Sequence, residues 1–152
     1  MKRSWIAGID SEEQAGRVNG TKWDDYFVGD QGDSKNVDIA DVYDGRRGDD
    51  FIFGLDNGDR LYGGSGNDTI FGGHGADKIF GGSGSDTLWG GTEEDVIKGG
   101  GGADSFLFEA WSGGSDMDTI LDFDPREKGE RITVRTLFGE GIATFEDLKT
   151  MM

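Results

Sequence analysis

A nine-residue period governs this chain. In one frame the units read GRRGDDFIF (45–53), GLDNGDRLY (54–62), GGSGNDTIF (63–71), GGHGADKIF (72–80), GGSGSDTLW (81–89), GGTEEDVIK (90–98) and GGGGADSFL (99–107). Aspartate holds the sixth position of every unit: Asp50, Asp59, Asp68, Asp77, Asp86, Asp95 and Asp104. A large apolar residue holds the eighth: Ile52, Leu61, Ile70, Ile79, Leu88, Ile97 and Phe106. NVDIADVYD (36–44) keeps the frame with Asp41 and Tyr43, and NGTKWDDYF (19–27) reads as one more copy, out of phase after an insertion. A fixed short period is the mark of a repeat architecture, in which a unit buries its apolar side chain only by stacking on its neighbours.

The pattern resembles the glycine-rich nonapeptide GGxGxDxUx, with U a large aliphatic residue, of the RTX (repeats-in-toxin) calcium-binding proteins. The likeness covers 45–107 closely and 19–44 loosely, and it departs at Arg46, Leu55, Asn57 and Glu93. It implies an all-β fold: a parallel β-roll, a right-handed β-helix-like solenoid of stacked nonapeptide repeats, closed by a C-terminal β cap. The residues agree. The triplet x-U-x suits a short strand with its central side chain inward. GGxGxD suits a six-residue turn, where glycine adopts backbone conformations that a Cβ resists. Two units then complete a coil, unit n stacks on unit n+2, and the aspartates form two ladders: Asp50, Asp68, Asp86, Asp104 on one edge and Asp41, Asp59, Asp77, Asp95 on the other.

Like-charged carboxylates in such ladders lie roughly 4.8 Å apart and repel without a cation. A Ca²⁺ between successive turns removes the repulsion and takes oxygens from the aspartates and from turn carbonyls. The expected ligand set is therefore Asp50, Asp59, Asp68, Asp77, Asp86, Asp95 and Asp104 with the turn glycines Gly64, Gly66, Gly73, Gly75, Gly82 and Gly84, holding about five ions. The Asp77–Asp95 pair is weakened at Glu93, whose own carboxylate is a partial substitute. One core side chain per strand does not offset the entropy of nine ordered residues, so the metal is expected to act as a folding cofactor.

Composition sharpens these expectations. Acidic residues number 31, of which 22 are Asp, against 15 basic ones, for a net charge of −16. Such a surface argues against nucleic acid, whose phosphates require a basic face. Five bound divalent ions would bring the charge to −6. Cysteine is absent and no apolar run approaches a membrane span. Met1–Gly8 begins like the charged part of a signal peptide, but the apolar stretch stops at Asp10. The expected location is extracellular or cell-surface, reached without an N-terminal signal.

Four segments follow. Residues 1–18 read as flexible chain or a short helix, and 19–44 as an N-terminal cap with degenerate repeats, where Trp23, Tyr26, Phe27 and Val28 cover the first coil. There Asp24, Asp25, Asp30, Asp33 and Asp38 offer irregular extra calcium sites. Residues 45–107 are the roll. Residues 108–152 are a cap and a possible secretion signal: Asp118–Pro125 reads as a strand entering a turn and Arg131–Val134 as the returning strand, packed by Phe106, Phe108, Trp111 and Phe123. The resemblance implies a serralysin-like antiparallel lid and an uncleaved C-terminal signal for a type I secretion apparatus, for which the tail is the candidate. In that tail Phe145, Leu148 and Met152 fall at helical spacing.

Catalytic motifs are missing. No HExxH helix is present, and Gly81-Gly82-Ser83-Gly84-Ser85 lacks the last glycine of a nucleophile elbow. The single histidine, His74, sits at a variable turn position and is expected to be exposed and idle, so the chain does not read as an enzyme. The alternative to a calcium-folded roll is an accessory polysaccharide-binding module, similar to those attached to alginate epimerases. Its candidate face is Arg60, Tyr62, Lys78, Phe80 and Lys98, where rings and cations alternate. Phe53, Phe71 and Trp89 fall on the opposite sheet.

Overall fold

Every nine residues the chain repeats an outward–inward–outward triplet followed by glycines, and the backbone answers with a strand each time. The computed structural model describes residues 4–6, 17–29, 40, 42–110, 117–126, 128–136 and 143–144. Among these there is no helix. One sheet takes, in spatial order, β1 (Ser4–Ile6), β3 (Asp25–Val28), β5 (Phe51–Asp56), β7 (Thr69–His74), β9 (Thr87–Thr92), β11 (Ser105–Ala110), β13 (Arg131–Thr136) and β14 (Ala143–Thr144). The other takes β12 (Thr119–Ile120), β10 (Val96–Gly101), β8 (Lys78–Ser83), β6 (Arg60–Ser65), β4 (Val42–Asp44) and β2 (Arg17–Asn19). From β1 to β13 successive strands alternate between sheets and unit n pairs in parallel with unit n+2, as in Ile52↔Ile70↔Leu88 and Leu61↔Ile79↔Ile97. The protein is a parallel β-roll.

Position eight builds the core. Phe27, Tyr43, Ile52, Leu61, Ile70, Ile79, Leu88, Ile97 and Phe106 are at most 1% exposed and form one file between the sheets. Val18, Phe108, Ile120, Phe123 and Ile132 are partly buried against it. Each buried aliphatic side chain contributes about 2 kcal/mol, which makes the file thin for its length.

The strands of the regular units are six residues long, not three. Pairing continues through the glycine doublet to position three, as in Gly73↔Gly91 and His74↔Thr92. The turn shrinks to positions four to six. Glycine's access to backbone conformations that a Cβ resists points to a turn, but the equivalent unit above and below supplies a main-chain partner at each step.

Three expectations for the flanks are corrected. First, the copy at the N-terminus is shifted by one residue from NGTKWDDYF. Tyr26 pairs with Phe51 and Phe27 with Ile52, so Asp25 takes position six and Phe27 position eight. Trp23 is 45% exposed, with the Lys22 ammonium 5.2 Å from its ring centre, while β1 lies beyond β3. Second, the paired parts of 1–18, Ser4–Ile6 and Arg17–Asn19, are strands that extend the two sheets and not helix. Third, the segments 118–125 and 131–134 do not pair as an antiparallel hairpin. Val96↔Thr119 and Ile97↔Ile120 place β12 on the six-stranded sheet, and Ser105↔Arg131 and Phe106↔Ile132 place β13 on the eight-stranded one. Both are parallel, so the flank adds another coil, and only β14 runs antiparallel, on β13. Where β12 stops, Asp122 takes over: its Oδ1 and Oδ2 accept from the amides of Gly99 and Gly100, both at 2.9 Å. Phe123 meets Phe106 edge to face at 6.1 Å. Trp111 and the tail residues Phe145, Leu148 and Met152 lie outside the described residues.

Candidate metal centre

The sixth-position aspartates are carried inward with the core although they are carboxylates. Asp50, Asp59, Asp68, Asp77, Asp86, Asp95 and Asp104 are 1–2% exposed. Each coil's aspartate reaches back to the coil before it. Oδ1 of Asp68 accepts from the Asp50 amide at 2.8 Å, Asp86 from Asp68 at 2.8 Å and Asp104 from Asp86 at 2.9 Å. On the other edge Asp77 accepts from Asp59 at 2.7 Å and Asp95 from Asp77 at 2.8 Å. The two ladders expected from the period are thus two stacked rows. They also extend further: the Asp25 amide donates to Asp50 Oδ1 at 2.7 Å, and the Asp95 amide to Asp118 Oδ1 at 3.0 Å. Asp41, Asp30, Asp33 and Asp38 lie outside the described residues.

The second oxygen of the row is left over. Oδ2 of Asp50, Asp68, Asp77 and Asp86 is buried without a hydrogen-bond partner. Burial pushes the carboxyls of Asp50 and Asp68 up to about 7, that of Asp77 to about 8 and that of Asp86 to about 6. The donating amide pulls each back, and neighbouring carboxylates, such as Asp86 beside Asp68, raise it further. Tyr43 shares this environment. Its buried hydroxyl has no partner, and burial and then the charge of Asp50 hold it well above the usual phenol range.

Beside each leftover oxygen is room that only glycine leaves. A Cβ on the first glycine of the unit, Gly63, would strike Asp68 Oδ2 and lie 2.6 Å from the carbonyl oxygen of Gly81 in the next coil. Gly45 relates in the same way to Asp50 and Gly63, Gly72 to Asp77 and Gly90, and Gly81 to Asp86 and Gly99. These first-position glycines are a part of the site that sequence reasoning passed over, although the unbroken column Gly45, Gly54, Gly63, Gly72, Gly81, Gly90 and Gly99 was visible in the frame. Glycines at positions two and four do something different. Gly64, Gly66, Gly73, Gly75, Gly82 and Gly84 all have φ between 113° and 133°, in left-handed backbone. The four departures from the repeat, Arg46, Leu55, Asn57 and Glu93, are the non-glycine residues forced to the same sign, at φ 71°, 83°, 80° and 74°.

Carboxylate and carbonyl oxygens without nitrogen or sulfur make a hard donor set, which fits Ca²⁺. Among the described residues no three acidic or imidazole side chains converge, so a cation here must draw on main-chain carbonyls as well. Glu93 does not join the Asp77–Asp95 row. It is exposed, its Oε2 accepts from the Gly75 amide at 2.5 Å and the Thr92 hydroxyl at 2.8 Å, and those bonds lower its carboxyl. Asp49 and Asn67 form a shorter outer row, accepting from the amides of Asn67 and Ser85 at 2.7 and 2.8 Å.

The alternative face also assembles. Arg60 pairs in register with Lys78, Lys98 with Phe80, and Tyr62 stacks on Phe80 at 4.9 Å. Arg17 lies over Tyr62 at 5.7 Å and is ion-paired to Asp44. His74 is exposed, with Nδ1 2.9 Å from the Thr92 hydroxyl. No helix among the described residues is long and apolar enough to cross a membrane.

No curated protein matches the chain. Residues 38–70, 53–88 and 80–110 match the RTX calcium-binding nonapeptide repeat, in four copies. That repeat is a structural calcium-binding element and not a catalytic one. Residues 38–110 are therefore RTX calcium-binding nonapeptide repeats, and the parallel β-roll they build is a calcium-binding one.

Proposed function

We propose that Ca²⁺ occupies both aspartate rows, about five ions in all, and that its binding drives the roll to fold. The observation that carries the reading is the buried Oδ2 of Asp50, Asp68, Asp77 and Asp86, partnerless beside side-chain-free space and a glycine carbonyl. Asp59, Asp95 and Asp104 complete the two rows, and the carbonyls at Gly64, Gly66, Gly73, Gly75, Gly82 and Gly84 supply the remaining oxygens. Bound calcium would supply the positive charge that lets these carboxylates stay ionised while buried; the chain itself aligns them through its amides.

Where calcium is scarce the acidic chain stays unfolded; at the roughly millimolar level outside cells, sites of the weak extracellular class fill. This couples folding to export through a type I apparatus and places the working protein outside the cell or on its surface. Calorimetric titration with Ca²⁺ tests the reading. Several ions per chain are expected, fewer in Asp86→Asn, which takes a carboxylate from the middle of a row. A single ion per chain, or an unchanged count in Asp86→Asn, contradicts it.

A second reading, an accessory module for an anionic polysaccharide, is supported by the Tyr62–Phe80 stack between Arg60, Lys78 and Lys98. Loss of alginate pull-down on replacing those three cations by Glu tests it; equal retention by the triple variant and the parent sinks it.

A further inference from the structure

The outer face of the eight-stranded sheet carries a groove whose side chains serve neither the calcium rows nor the basic strip. Position nine supplies one wall, a row of half-buried rings, Phe53, Phe71 and Trp89, in register. Position three supplies the other wall, Asp56, His74 and Thr92, equally in register. Between them Gly72, Gly73 and Gly91 leave the floor bare, which opens a groove of about 470 Å³. Small-molecule sites commonly span roughly 300–1,000 Å³, mostly apolar with a few polar groups to set orientation.

We propose that this groove binds a neutral, hydroxyl-rich sugar chain. Phe53 and Phe71 stack on each other at 4.9 Å and 9°, and Trp89 meets Phe71 edge to face with ring centres 5.4 Å apart, so the row makes a continuous apolar wall. Such a wall suits the C–H face of a pyranose. The facing wall mixes acceptor and donor chemistry: the Asp56 carboxylate and the hydrogen-bonded His74–Thr92 pair. Trp89 Nε1 is buried and has no hydrogen-bond partner, a donor that is rarely left unused.

Other occupants satisfy fewer of these groups. An alkyl chain leaves the indole N–H unpaired. A polyanion meets Asp56 and a net charge of −16. A bare cation satisfies Asp56 and the rings but brings no acceptor for the indole. A sugar hydroxyl both accepts and donates. Leu55, at position two, adds an apolar side chain to the lining where the paired positions are Gly73 and Gly91.

The test is calorimetry on the calcium-saturated full chain, its fold checked by circular dichroism. The neutral probes are cellohexaose, mannohexaose and maltohexaose; hexagalacturonate is the carboxylated probe, and decyltrimethylammonium the alkyl and cationic one. At least one neutral hexasaccharide is expected to bind with a Kd of about 1 mM or tighter, and more tightly than either other probe. Trp89→Phe, which keeps a ring and loses the donor, weakens it about three- to tenfold. Trp89→Ala weakens it about tenfold or more. Lys128→Gln, an exposed change away from the groove, leaves it unaltered. The proposal is overturned by no neutral binding up to about 10 mM, by tighter binding of the charged probes, or by unchanged affinity in both Trp89 variants.

Discussion

Replacing Asp68 by Asn should change the sign of its effect on stability with calcium. The carboxyl is 1% exposed and raised to about 7 by burial, so ionising it in the folded chain costs about 4 kcal/mol relative to the unfolded value of 3.8. Asn has the same shape and keeps the acceptor for the Asp50 amide, which lies 2.8 Å from Oδ1. Its NH₂ would sit where Oδ2 now is, in the space bounded by the Gly81 carbonyl, and can donate there. In chelator at pH 8, Asp68→Asn is therefore expected to be more stable than the parent by up to about 4 kcal/mol. That gain shrinks to under about 1 kcal/mol near pH 4, where the parent carboxyl is already protonated in the fold. In saturating calcium the order reverses, because the variant lacks an anionic ligand and loses the linkage stabilisation of the ions it no longer holds. Urea melts followed by circular dichroism, run in enough trimethylamine N-oxide to fold the calcium-free chain and with and without calcium at both pH values, read all four cells. A variant less stable than the parent in chelator at pH 8 refutes the reasoning, since the carboxylate would then be stabilising without a cation.

The same logic gives a pH dependence for the whole row. Asp50, Asp68, Asp77 and Asp86 are raised from 3.8 to between about 6 and 8, so their protonation stabilises the calcium-free fold fully below pH 3.8 and the effect is lost as pH rises through 6–8. In the same osmolyte, calcium-free melts should weaken as pH rises from about 4 to 8, and calcium binding at pH 6 should release protons measurable in two buffers of different ionisation enthalpy. Gly84→Ala should cost about 2 kcal/mol or more, since its φ is 130° and a Cβ would strike the Gly66 carbonyl. Gly101→Ala, which meets nothing within 4 Å, should stay within about 0.5 kcal/mol in the same melts. Arg46→Gly, relieving a left-handed residue at φ 71°, should gain up to about 1 kcal/mol. Ile79→Ala, in the middle of the core file, should cost about 2–5 kcal/mol and make calcium-induced folding less cooperative.

The central roll was legible because one residue choice per unit answers one physical demand. Position eight must be large and apolar, and position six must be Asp. Positions two and four must tolerate positive φ, which even the four non-glycine residues there adopt. The frame failed where this redundancy lapses. In NGTKWDDYF two adjacent aspartates compete for position six, and only the preference for burying Phe27 over Tyr26 separates the registers. Near the C-terminus GGSDMDTIL (113–121) is a copy with Asp116 in place of the fourth glycine, displaced by the insertion FEAWS. The step from Asp95 to Asp118 is consequently 23 residues where the rungs between Asp50 and Asp104 step by 18, and a strict period misses it. Next in line, Glu130 stands in position six before β13. Which carboxylate oxygen serves the neighbouring amide, and which is left over, depends on register and turn shape together and has no signature in sequence.

The central claim is that calcium and the fold are one equilibrium, and a far-ultraviolet circular dichroism titration of the metal-stripped chain tests it most directly. The account predicts a disordered spectrum in chelator at pH 8 and a cooperative rise of β signal with Ca²⁺ that Mg²⁺ at the same concentration does not produce. A chain that already shows the full β spectrum in chelator, unchanged by calcium, would contradict it: the buried aspartate rows would then be sustained without a metal.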